Sequence, residues 1–149
     1  MESKKRTIVV TRNGKKKTSI SSSLEDTAKV AKEFAKTLRG GEVVALSGEL
    51  GAGKTTFVQS LARALGVKES VTSPTFIIMS VYDLPKKVRG IETLCHIDAY
   101  RLTHGKELHA IGVEDYRRRK FVVTLIEWPE RVAEILPEST LWVEITISL

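Results

Sequence analysis

The stretch GELGAGKTT, residues 48–56, decides how this chain is read. Gly48, four residues, then Gly53-Lys54-Thr55 matches the phosphate-loop pattern G-x-x-x-x-G-K-[ST]. Apolar EVVALS (42–47) runs straight into it as a strand, and a helical pattern from Lys54 to Leu65 runs straight out. Both flanks are what the chemistry needs. Glycines let successive backbone N–H groups curl around a phosphate, and the N-terminus of the following helix adds a field that favours anions. The expected ligands come from Gly48, Glu49, Leu50, Gly51, Ala52 and Gly53, with Lys54 reaching the β- and γ-phosphates and the Thr55 hydroxyl on Mg²⁺. A nucleoside triphosphate is the expected cofactor. Glu49 is the discordant residue, an acid at the lip of an anion cradle. Like charges about 4 Å apart repel by about 4 kcal/mol at an effective dielectric of about 20. Close contact of Glu49 with a phosphate is therefore expected only with Mg²⁺ or Lys54 between them.

Working outward, RTIVVT and TSISS read as two strands joined at Asn13-Gly14, a strong hairpin-turn pair. Ser23 is the expected N-cap of a helix whose apolar stripe is Leu24, Ala28, Ala31, Phe34, Ala35 and Leu38, stopped by Gly40-Gly41. In the helix after the glycine loop the stripe is Phe57, Leu61, Ala64 and Leu65, with Gly66 as stop. FIIMSVYDL and ETLCHID read as an antiparallel hairpin around Pro85–Gly90. GKELHAIGVEDYRRR reads as two short helices broken near Gly112. FVVTLIE is a buried strand, Pro129 opens a short helix through Leu136, and LWVEITISL is a last strand. Strands on both sides of a phosphate-loop helix imply one α/β domain, a P-loop NTPase-like fold over residues 1–149 with a mixed parallel and antiparallel sheet flanked by helices.

Composition bounds the rest. At 149 residues, 42% hydrophobic and 28% charged, the chain suits one globular core. Its longest apolar runs are strand-sized, so no membrane association is expected, and no signal-peptide h-region opens it. Cys95 is the one cysteine; no internal disulfide is possible, and a cytoplasmic setting with Cys95 as a buried structural thiol is expected. Residues 1–17 hold seven Lys/Arg against Glu2, which accounts for the whole net charge of +6. Two readings of that basic front end stand: a surface for RNA or another anion, or a solvated hairpin tip that keeps an edge strand soluble.

Magnesium at a phosphate loop needs a carboxylate from a nearby strand end, and two qualify. Glu127 ends FVVTLIE and Asp98 ends TLCHID; one would hold the metal, directly or through water, and the other would polarise the attacking water. Lys54, Asp98 and Glu127 are thus the expected catalytic set, and Thr55, Glu127 and Asp98 the metal set. His96, His104 and His109 lack zinc spacing. His96 shares a strand face with Asp98 and is read as a packed histidine. Arg101 is a better catalytic arginine than the run at 117–120, which reads as a solvated helix end.

Together, LSGELGAGKTTFVQSLARALG, VTSPTF, HIDAYRL and LIEWPE resemble the bacterial TsaE family, small P-loop ATPases required for threonylcarbamoyladenosine modification of transfer RNA. The motifs stand in that family's order from about Leu24 onward. The resemblance implies that Lys54 and Thr55 meet phosphates and Mg²⁺, that Thr56 lies on the phosphate side, and that Ser73, Pro74 and Thr75 form a switch loop near the γ-phosphate. It places Trp128 near the nucleotide, and adenine contacts at Glu25 to Thr27 and around Arg131. It implies ATP and Mg²⁺ as cofactors, and as partners a TsaD-type threonylcarbamoyl transferase with its TsaB-type companion, transfer RNA being engaged indirectly. The alternatives are a small-molecule kinase, for which 149 residues leave little room for an arginine-bearing lid, and a non-catalytic nucleotide switch or RNA-binding module.

Overall fold

A computed structural model describes residues 4–49, 51–72, 78–117 and 119–148 of the chain. Strands β1 (Lys5–Arg12) and β2 (Lys15–Ser21) form the opening hairpin, with Asn13 and Gly14 both at positive φ as that two-residue turn demands. Helix α1 (Leu24–Ala35), strand β3 (Val43–Gly48) and helix α2 (Lys54–Ala64) follow. Strands β4 (Met79–Val88) and β5 (Ile91–Asp98) form a second hairpin. Short helices α3 (Lys106–Ala110) and α4 (Glu114–Arg117) lead to β6 (Val122–Glu127), a 3-10 segment (Pro129–Ile135) and β7 (Leu141–Ser148). This is the P-loop NTPase-like α/β fold expected from the glycine loop.

The seven strands lie in one sheet in the order β2-β1-β7-β3-β6-β5-β4. β3 runs parallel to β6 and β7, and β5 runs parallel to β6; the two hairpins and the β1–β7 pair are antiparallel. Central β6 is buried along its whole length, as a strand covered on both faces must be. α1 and α2 cover one face over Phe34, Leu46, Phe57, Leu61 and Leu125, where the rings of Phe34 and Phe57 meet at 6.0 Å. The opposite face packs Cys95, Ile97, Leu108, Val113, Ile126 and Val132. β4 is an edge strand, which is why Pro85 is tolerated: pairing with β5 shifts register between Asp83 and Val88, where its missing N–H costs no ladder bond.

Ser23 caps α1, its hydroxyl accepting from the Asp26 N–H at 3.1 Å while Asp26 Oδ2 accepts from the Ser22 N–H at 2.9 Å. Two positions of the expected stripes differ. Leu24, at the start of α1, is 64% exposed, and Thr27 is buried in its place. Ala64, at the end of α2, is exposed while Val58 and Ala62 are buried. Both departures fall in terminal turns, where a helix overhangs the layer beneath it and periodicity alone no longer assigns a face.

Candidate functional site

The parallel strands deliver their C-terminal ends to one edge of the sheet. Asp98 pairs with Glu127 across β5 and β6, Leu46 pairs with Glu127 across β3 and β6, and Gly48 pairs with Ile145 of β7. β1 and β2 bring Arg6 and Ser21 to the same edge, because Arg6 pairs with Ile147 on one side and Ser21 on the other. In open α/β sheets that edge is where ligands bind.

The glycines of the loop are required by space and conformation. A Cβ on Gly48 would stand 2.5 Å from the Ile145 carbonyl oxygen, and Gly53, the N-cap of α2, sits at φ 102. The loop closes on itself through the Ala52 N–H donating to the Glu49 carbonyl at 3.0 Å. It is also braced from outside the motif: Arg6 Nε donates to the Ala52 carbonyl at 2.8 Å. Arg6 lies within the basic opening segment, where nothing local in the sequence distinguishes it from its neighbours.

Lys54 is the first residue of α2 and is only 6% exposed, yet its Nζ has no hydrogen-bond partner. It lies 3.7 Å from the centroid of the Trp128 ring, a cation–π contact. Burial lowers its pKa, against the opposing pull of Glu127, Glu130 and Asp98. A buried ammonium with unused donors at the mouth of a glycine cradle fits an anionic ligand. Thr55 is exposed beside it and Thr56 is partly buried.

The two strand-end acids are both buried and each is held in direction. Glu127 Oε2 lies 2.6 Å from His96 Nε2, and Asp98 Oδ1 accepts from the Tyr100 N–H at 2.9 Å. His96 is thus a packed histidine, 1% exposed, and also the partner of the strongest carboxylate candidate. The i, i+2 spacing to Asp98 was its signal in sequence; the contact itself needed the β5–β6 register. Among the described residues no three His, Cys, Asp or Glu side chains gather into a metal cage.

Trp128 adopts φ 57, a left-handed conformation uncommon for a bulky residue, and so turns its ring under Lys54. Tyr100 packs on it at 5.0 Å and the Arg131 guanidinium lies 5.8 Å from the Tyr100 ring, which joins Arg131 to this platform. Tyr100 was not singled out in the sequence, although it stands within HIDAYRL. Glu49 lines a cleft of about 430 Å³ with Ser47, Gly48, Trp128, Glu130 and Glu144. At the β2–α1 corner, Glu25 is exposed, whereas Thr27 is buried with its hydroxyl 2.6 Å from that of Ser21. The Thr27 side chain therefore faces the core and not the expected adenine side. Leu50, Ser73, Pro74 and Thr75 lie outside the described residues. Cys95 is fully buried, and burial pushes its thiol up to about 12.

Residues 21–148 match the family described as Threonylcarbamoyl adenosine biosynthesis protein TsaE. A protein of Treponema pallidum named tRNA threonylcarbamoyladenosine biosynthesis protein TsaE is 43% identical over 87% of this chain and 88% of its own. The protein of that name from Bacillus subtilis is 37% identical over 81% of this chain and 72% of its own. Among solved structures, that of Bacillus subtilis YdiB superposes with a TM-score of 0.67 at 29% identity, covering 96% of this chain and 78% of that one.

Proposed function

This chain belongs to the TsaE family, and from that premise we propose that it is a magnesium-dependent ATPase subunit of the machinery that installs threonylcarbamoyladenosine in transfer RNA. Lys54 carries the reading: a buried ammonium, without a hydrogen-bond partner, on the first turn of a helix behind a glycine loop. Its donors and the loop N–H groups would take the β- and γ-phosphates of ATP. The Thr55 hydroxyl with Asp98 or Glu127 would hold Mg²⁺, which neutralises phosphate charge. The other carboxylate would polarise the attacking water; Glu127 is steered by His96, and Asp98 is fixed by the Tyr100 N–H. The Trp128 ring gives up Lys54 to the phosphates, and the exposed Tyr100 edge and Arg131 border the nucleotide.

On this reading hydrolysis resets an assembly between turnovers rather than forming the new bond. The partners are a TsaD-type transferase and a TsaB-type companion, and Glu49, in the cleft beside the loop, tunes hydrolysis or meets a partner. Glu127→Ala tests the chemistry: ATP still binds, and hydrolysis falls about 10²- to 10⁴-fold, the usual worth of a positioned base. Unchanged turnover would remove Glu127 from the mechanism. Normal partner-stimulated turnover in Glu49→Gln would remove Glu49 from tuning and docking.

A further inference from the structure

A second concavity lies among the described residues, far from the glycine loop. It measures about 650 Å³ and lies between the opening hairpin and α1. β1 runs away from the loop edge, so its tip at Asn13-Gly14 and the C-terminal end of α1 mark the opposite pole of the sheet. Arg12 Nη2 donates to Thr37 Oγ1 at 2.5 Å and ties tip to helix. Val10 and Val30, backed by the buried ring of Phe34, form an apolar floor, while Arg12, Lys15, Lys16, Lys17 and Lys29 surround it. Glu33 is the acid in the lining, and it is already engaged by Lys36 at 3.3 Å. Among the described residues, Lys15, Lys16, Lys17 and Lys29 have no acidic partner. The family match begins at residue 21, so the hairpin side of this groove lies outside it.

We propose that this groove docks an acidic segment of a partner protein, one that carries apolar side chains for the floor and carboxylates for the lysines. Two observations favour a protein over RNA. Phosphate recognition has no use for a floor of Val10 and Val30, whereas an amphipathic acidic segment uses floor and rim together. Single-stranded RNA binds basic surfaces through stacking on accessible rings, and the one ring here, Phe34, is 5% exposed. A basic rim that only kept the hairpin soluble would need no concavity beneath it. The position also leaves the nucleotide edge clear, so a partner held here does not block the glycine loop. The inference stands independently of the ATPase reading.

The test uses the full chain and three labelled probes, read by fluorescence anisotropy. The first is a peptide of about a dozen residues with Leu at helical spacing and Glu elsewhere. The second is an all-Glu peptide of the same length, and the third is a transfer RNA transcript. The Glu/Leu peptide is expected to bind tightest. The pair Lys15→Glu with Lys17→Glu, on exposed side chains that carry no packing, should weaken it at least tenfold. Val30→Gln should weaken it several-fold, and thermal unfolding should be unaltered by the charge pair. The proposal is overturned if the Glu/Leu peptide fails to bind, or if the all-Glu peptide binds as well and Val30→Gln changes nothing. It is equally overturned if transfer RNA alone binds and the charge reversal abolishes that, which would make the groove an RNA surface.

Discussion

Lys54→Met separates a lysine that waits for a ligand from one that holds the fold. The Lys54 ammonium is buried without a hydrogen-bond partner. Leaving a charged donor in that state costs about 1–3 kcal/mol or more. Its contact with the Trp128 ring returns up to about 2 kcal/mol at a desolvated site, and attraction to Glu127 and Asp98 returns some of the remainder. Methionine fills the same stem volume and brings no charge. The net change in stability is therefore between zero and a gain of about 2 kcal/mol, a rise in Tm of up to about 8 °C for a chain of this size. The effect of ATP runs the other way. At about 100 times Kd, Mg-ATP should stabilise the wild type by about 2.7 kcal/mol and the variant hardly at all. Differential scanning calorimetry with and without Mg-ATP reads both. The sign with pH also follows: the folded-state pKa of Lys54 lies below its unfolded value. The wild type therefore gains stability as pH rises from the lowered value to the ordinary lysine value, and the variant lacks that gain. A loss of more than about 2 kcal/mol in Lys54→Met, or an undiminished ATP shift, would refute this reasoning.

Three further outcomes follow from particular contacts. Ser23→Ala removes the cap that accepts the Asp26 N–H and should cost about 1 kcal/mol in urea unfolding; an unmoved midpoint would show that the cap contributes nothing. In a Trp142→Phe background, Trp128 fluorescence should change when ATP draws Lys54 off the ring, and that change should vanish in Lys54→Met. Cys95, fully buried with its thiol pushed up to about 12, should not react with a disulfide reagent until the chain unfolds, and rapid native labelling would contradict its burial.

Much of this fold is legible in sequence because its signals are local. Asn13-Gly14 dictates its turn, Ser23 its cap, and the strand–glycine loop–helix at 42–65 its own topology. Strand-end acids at Asp98 and Glu127 are legible too, since apolar runs that end in a carboxylate advertise themselves. What stays hidden is long-range. Nothing in sequence states that β5 lies beside β6, and without that register His96 cannot be assigned to Glu127. Arg6 reaches Ala52 because β1 lies beside β7 and starts at the loop edge. Thr27 turns inward because Ser21 offers its hydroxyl a partner across the β2–α1 corner. The lysines of the hairpin read identically as a soluble tip or a docking rim until α1 supplies the second wall.

Hydrolysis at the glycine loop is tested most directly by phosphate release from ATP by the purified chain. Slow release is expected that needs Mg²⁺, needs no small acceptor, is abolished by Lys54→Ala, and changes when TsaD-type and TsaB-type partners are added. Rapid phosphoryl transfer to a nucleoside or sugar, or release that survives Lys54→Ala, would contradict it.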